Sequence, residues 1–251
     1  MLSKRDLTAR DIALTACFTA LYAVVTFLPL SQVLGSFGKY ITVATIIVPA
    51  VGVILGAYIG ILSTFLGGIA ALFFSPYFSP PSLVAGVITA LCAGFSHAGR
   101  RRLCVLTYTA LLLVFGLYPS VGPLWLYPPL MWFQTFGLII LSSPLQAKAT
   151  NAFNINSDSR FFFAFLITSL TSTLAGQIAG SLVFEVISWP ALISDVNFYR
   201  GYWQGLTFLY PIERTLIAFA AAFIGTALYK VLKSANLMPF LNRENQQKKF
   251  P

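Results

Sequence analysis

Charges are costly beside hydrocarbon. Yet Glu213 and Arg214 stand at the head of an apolar run that continues to Tyr229 without another charge. Upstream, the stretch 161–187 carries Thr168, Ser169, Thr171, Ser172, Thr173, Gln177 and Glu185, and the segment after it brings Asp195, Asn197, Tyr199, Arg200, Trp203 and Gln204. Carboxylates, guanidinium groups and amides interleaved with rings are what a small-molecule pocket needs: rings bury a flat apolar body, and a few convergent polar groups fix its orientation. Gln177, Glu185, Asp195, Asn197, Tyr199, Arg200, Trp203, Glu213 and Arg214 are therefore the candidate solute-binding residues. Pro211 suits the first turn of a helix and predicts one from 211 to 230, about 30 Å long. On that helix Arg214 lies above Ala218, Ala221, Ala222 and Gly225, a face suited to close packing. Glu213, about 100° away, lies above the bulkier Ile217, Ala220 and Ile224. Arg214 is expected to point inward, towards Glu185, Asp195 or a solute. Rings near Lys39, Arg200 and Arg214 suit a planar, anionic organic molecule.

Other chemistries find little support. Gly35-Ser36-Phe37-Gly38-Lys39-Tyr40 is not a phosphate-binding loop, because its spacing is wrong and no Ser or Thr follows the lysine. The single histidine, His97, sits beside Arg100, Arg101 and Arg102 and is expected at a solvated interface. No Cys or second His stands ready to share a metal with it. Cys17, Cys92 and Cys104 lie in or beside apolar segments without CxxC spacing, as small core residues do. No G-x-S-x-G elbow is present, and neither a cofactor nor a metal is expected. The net charge of +9 is spread over segment ends rather than gathered in one patch, which argues against nucleic acid. Two rival readings remain. One is a membrane-embedded enzyme acting on a lipid-linked substrate, with Glu185, Asp195 or Glu213 as acid or base. The other is a non-transporting membrane assembly subunit.

The elements that must position these residues are membrane helices. Of 251 residues, 57% are hydrophobic and 9% charged, with a mean hydropathy of +0.80; soluble domains carry roughly a quarter charged residues. A spanning helix needs about 20 apolar residues, and eight candidates follow: 11–30, 41–56, 58–74, 82–97, 103–118, 124–142, 161–187 and 206–230. The fold class is all-α, a polytopic membrane helix bundle over 1–233 with a cytoplasmic tail at 234–251. Lys4, Arg5 and Arg10 precede a first helix expected to stay uncleaved. With eight spans, thirteen basic residues fall on the side of the termini and three, Lys39, Arg200 and Arg214, on the other. That bias places both termini in the cytoplasm, in the cell membrane. Ala9, Ala13, Ala16, Ala20 and Ala23 draw a small-residue stripe down the first helix, and Gly52, Gly56 and Gly60 mark the second and third. Such stripes let helices approach closely, within a bundle or against a partner.

The first helix, 10–23, resembles the opening helix of the substrate-binding S components of energy-coupling factor (ECF) vitamin transporters, with Ala16 and Ala20 matching an alanine-xxx-alanine motif. Pro49 to Gly68 is similar to that family's glycine-rich second and third helices, 82–102 to its fourth helix and basic turn, and 159–233 to its last hairpin. Those proteins usually have six spans, so the hairpin 103–142 reads as an insertion in a six-helix core. The resemblance implies high-affinity capture of a vitamin-like small organic solute at the outer face. It further implies docking, through Ala13, Ala16 and Ala20, on a transmembrane coupling subunit energised by separate ATPase subunits. Metal-transporting relatives need histidines near the N-terminus; none is present here.

Overall fold

The computed structural model describes residues 9–32, 38–153, 158–235 and 237. Lys4, Arg5, Arg243, Lys248 and Lys249 of the charge bias, Gly35 to Phe37 and nearly all of the 234–251 tail lie outside the described residues. Helix α1 (Ala9–Val25) buries Asp11, Phe18, Tyr22 and Val25 along one face. It ends short of the expected residue 30, because Pro29 cannot continue a helix and disfavours helical backbone before it. The chain instead forms an antiparallel ribbon of β1 (Pro29–Gln32) and β2 (Tyr40–Thr42), an element absent from the all-α expectation.

Helix α2 (Ala44–Phe74) is two arms joined at Gly56, whose φ of 76° and ψ of 171° are not helical. Along a continuous helix, Gly52 and Gly60 would lie about 12 Å apart. Here a Cβ placed on Gly60 would be 3.2 Å from the Gly52 Cα. The chain therefore doubles back at Gly56, and these glycines permit the contact. The sequence reading of 41–56 and 58–74 as separate segments corresponds to these two arms. The second arm runs parallel to α1, tied by Thr19 Oγ1 donating to Ser63 Oγ at 3.1 Å and Ser75 Oγ donating to the Thr26 carbonyl at 2.9 Å.

Helix α3 (Pro80–His97) opens on two prolines and closes at Gly99, where φ is 71°. Then α4 (Arg101–Gly116) leads to the expected 124–142 segment, which Pro128 and Pro129 break into α5 (Pro123–Leu126), one 3-10 turn and α6 (Met131–Ser142). Residues 144–152, read as part of a polar connection, form α7 (Pro144–Ala152), N-capped by Ser143. Helix α8 (Asp158–Ser188) follows, and α9 (Val196–Ser234) completes the bundle. Gln146 of α7 is buried against α8, its amide between Thr168 and Thr171.

The start of α9 corrects the sequence reading. Rather than a loop at 195–204 followed by a helix from Pro211, one helix begins after Asp195, whose carboxylate accepts from Asn197 N at 2.9 Å, and runs through Pro211. Pro211 has no N–H to give the Thr207 carbonyl four residues back. Trp132 Nε1 supplies the missing donor at 3.2 Å. Helices α3, α8 and α9 are each long and apolar enough to cross a membrane, as α2 is by length and composition before its turn at Gly56 is considered. The chain is a mostly helical bundle of the kind membranes hold.

Candidate functional site

Helices α8 and α9 are antiparallel neighbours. Lys230 Nζ pairs with Asp158 at 2.7 Å near one end, and the Phe162 and Phe223 rings lie 4.8 Å apart a turn further on. Towards the other end, near the β-ribbon, they part around a cavity of about 510 Å³. Ile41, Thr42 and the first residues of α2 line one wall, Phe78 to Ala85 another, and Leu192 and Ile193 of the α8–α9 connection reach it as well. The volume falls within the range of roughly 300–1,000 Å³ common for small-molecule sites.

Of the expected site residues, Gln177 and Arg214 line this cavity. Gln177 is 5% exposed, and its Oε1 has no hydrogen-bond partner among the described residues. Arg214 is 7% exposed, its guanidinium carbon 5.9 Å from the centroid of the Tyr210 ring, and its Nε is likewise unpartnered. Among the described residues it is the sole charged one on the cavity wall. Its inward direction follows from the small face below it, where Ala218, Ala221, Ala222 and Gly225 are all buried.

The other expected residues lie elsewhere. Glu213 faces the ribbon, where Ser31 Oγ donates to its Oε1. Glu185 is fully buried behind the wall, and neither carboxylate oxygen has a partner among the described residues. Tyr199 and Trp203 are also fully buried off the cavity. Trp203 Nε1 donates to the Val121 carbonyl at 2.9 Å, and the Tyr199 and Ser188 hydroxyls share a 2.7 Å hydrogen bond. Both rings pack in an apolar cluster with Phe115 and Leu130 of the 103–142 hairpin. Asp195, Asn197 and Arg200 are exposed around the first turn of α9. The structure thus brings together two of the nine.

The rings that do line the cavity are Tyr22, Phe78, Phe184, Phe198, Tyr202 and Tyr210. Phe198 and Tyr202 are stacked, with 12° between their planes. On α9 the lining positions 198, 202, 210 and 214 step by multiples of four, a stripe that winds about 160° around the helix. That stripe was readable in the sequence, but only with 196–214 taken as helix.

Away from the cavity, Ala13, Ala16 and Ala20 are exposed on the side of α1 opposite its buried face. His97, expected at a solvated interface, is half-buried instead, edge-on to the Phe153 ring at 4.9 Å and near Tyr229 at 6.1 Å. Comparison of the chain with protein-family models, with curated proteins and with solved structures gave no match in any of the three.

Proposed function

We propose that this protein is the substrate-capture subunit of an ECF-type uptake transporter, holding a vitamin-like small organic solute in the cavity between α8 and α9. In this reading the chain crosses the cell membrane eight times: α1, the two arms of α2, α3, α4, α6, α8 and α9. Both termini are cytoplasmic, and the 103–142 hairpin elaborates a six-helix core. The cavity then opens towards the outer face. The observation that carries the proposal is the cavity itself, a volume walled by rings with a buried arginine and a buried amide on its surface. The exposed alanine stripe supports docking on a transmembrane coupling subunit served by separate ATPases, since small side chains let two helices come close.

Mass spectrometry of small molecules that co-purify with the detergent-solubilised protein tests the capture role. A retained polar organic solute is the expected result, a lipid-linked intermediate favours a membrane enzyme, and no bound molecule favours an assembly subunit. Docking is tested separately by Ala16→Leu with Ala20→Leu. Uptake by cells should be abolished while solute binding to the purified protein is unchanged. If binding and uptake fall together, the stripe serves the bundle's own packing.

A further inference from the structure

The lining of the cavity specifies more than its size. Gly225 of α9 packs on the Phe165 ring of α8, which a Cβ there would overlap. Because the two helices are antiparallel, eleven residues back along α9 reach Arg214 and twelve residues on along α8 reach Gln177, about 17 and 18 Å from that contact. These are also the last lining residue of α9 and the first of α8. They therefore share the deepest level of the cavity, at its floor.

A guanidinium this buried needs a counter-charge, because desolvation without one is strongly unfavourable. Its sequence neighbour Glu213 lies off the cavity, its Oε1 hydrogen-bonded to Ser31, and its charge acts on Arg214 only from outside the wall. No other charged group among the described residues reaches the wall. Gln177 Oε1, also buried and unpartnered, calls for an N–H or O–H donor. Above this floor the walls are aromatic, with the stacked Phe198 and Tyr202 on α9 and Phe184 on α8.

Resting on the capture reading, we infer that the solute is a planar aromatic carboxylate, or an equivalent monoanion. Its anion sits on Arg214 at the cavity floor, and a hydrogen-bond donor on the same molecule faces Gln177. A cationic solute would be repelled by Arg214, and a neutral one would leave its guanidinium with no anion inside the cavity.

Three probes test the assignment on the purified protein: indoleacetate, which has ring, donor and carboxylate; indoleacetamide, which lacks the charge; and naphthaleneacetate, which lacks the N–H. Indoleacetate should bind on the order of tenfold to hundredfold tighter than the amide, the range of a charge-assisted hydrogen bond in a buried site. Arg214→Gln should erase that preference, and Arg214→Lys should keep part of it, since lysine retains the charge but not the two-pronged geometry. Gln177→Leu should erase the preference for indoleacetate over naphthaleneacetate and leave the acid-over-amide preference intact. Thermal unfolding of each variant verifies that it is folded. Equal binding of acid and amide, or an acid preference that survives Arg214→Gln, overturns the assignment. If both acids fail to bind at millimolar concentration while a solute still co-purifies, the anion assignment is overturned and the capture reading stands. If nothing co-purifies and no probe binds, both are lost.

Discussion

Helices α8 and α9 face one cavity from opposite sides, yet their settings differ. In its most apolar stretch α8 is 78% buried with a mean hydropathy of 1.5, whereas α9 is 33% buried with a hydropathy of 1.8. The more polar helix is the inner one. Hydrocarbon gives an apolar face no reason to leave it, so packing and internal hydrogen bonding decide which helix is central. Along α8 the Thr171 and Thr173 hydroxyls donate to backbone carbonyls four residues back, at 3.0 and 2.7 Å, so their burial leaves no donor unpaired. Gly176 and Gly180 let α3 approach so closely that a Cβ on Gly176 would overlap Thr89 Oγ1. By contrast, α9 turns Phe208, Ile212, Leu216 and Phe223 outward, each at least 60% exposed. One wall of the cavity is clamped between neighbours, and the other is held along its inner face alone.

The sharpest test of this contrast sits within α9, at two adjacent rings. Trp203→Ala empties a fully buried site and should destabilise the protein by about 4 kcal/mol in thermal unfolding, with affinity on the folded fraction unchanged. Tyr202→Ala, one position away on the cavity side, should instead weaken solute binding by about 1 kcal/mol. If both variants lose affinity without losing stability, the inner face of α9 is binding surface throughout and the contrast with α8 is misdrawn.

Glycine substitution compares the two helices directly. Gly176→Ala on α8 should cost about 2 kcal/mol, because the added methyl meets the α3 backbone at Ala85 as well as Thr89. Gly201→Ala on α9, with nothing within 4 Å of the new methyl, should stabilise by about 0.5 kcal/mol through helix propensity alone. Equal effects on the unfolding midpoint would remove the distinction. Between these in size lies Glu185→Gln, which replaces a fully buried carboxylate whose oxygens have no partner among the described residues. A gain of about 1 kcal/mol in stability is expected. A loss would mean that the carboxylate has a role the packing does not display.

Hydropathy made the apolar segments legible and divided 41–56 from 58–74, whereas the glycines at 52, 56 and 60 were read only as a close-packing stripe. The direction of Arg214 was readable from the small residues one and two turns below it. The reading failed where one residue type serves two ends. Pro211 was taken as a helix start, the role proline most often fills in a helix. Its interior position here goes with a donor from Trp132 to the Thr207 carbonyl, seventy-five residues apart in the chain and beyond any local pattern. That one misplacement turned the helical residues 196–204 into a loop and put Tyr199 and Trp203 on the cavity in place of Phe198 and Tyr202. The ribbon at 29–42 escaped notice for the opposite reason. Strands of four and three residues are too short to show an alternation.

The first arm of α2, from Ala44 to the break at Gly56, is only a dozen residues and reaches about 18 Å, against about 30 Å of hydrocarbon. A helix that short at the lipid boundary would draw the bilayer inward around it. From Ile47 to Leu55 every residue of this arm is buried in protein. In the eight-span arrangement proposed above, its shortfall would therefore impose no deformation on the membrane. The cavity begins where that arm begins, at Thr42, Ala44 and Thr45. A chain that hides so short an arm at its centre leaves room for an indentation beside it, and where Gly56 turns the chain sets the length of that arm.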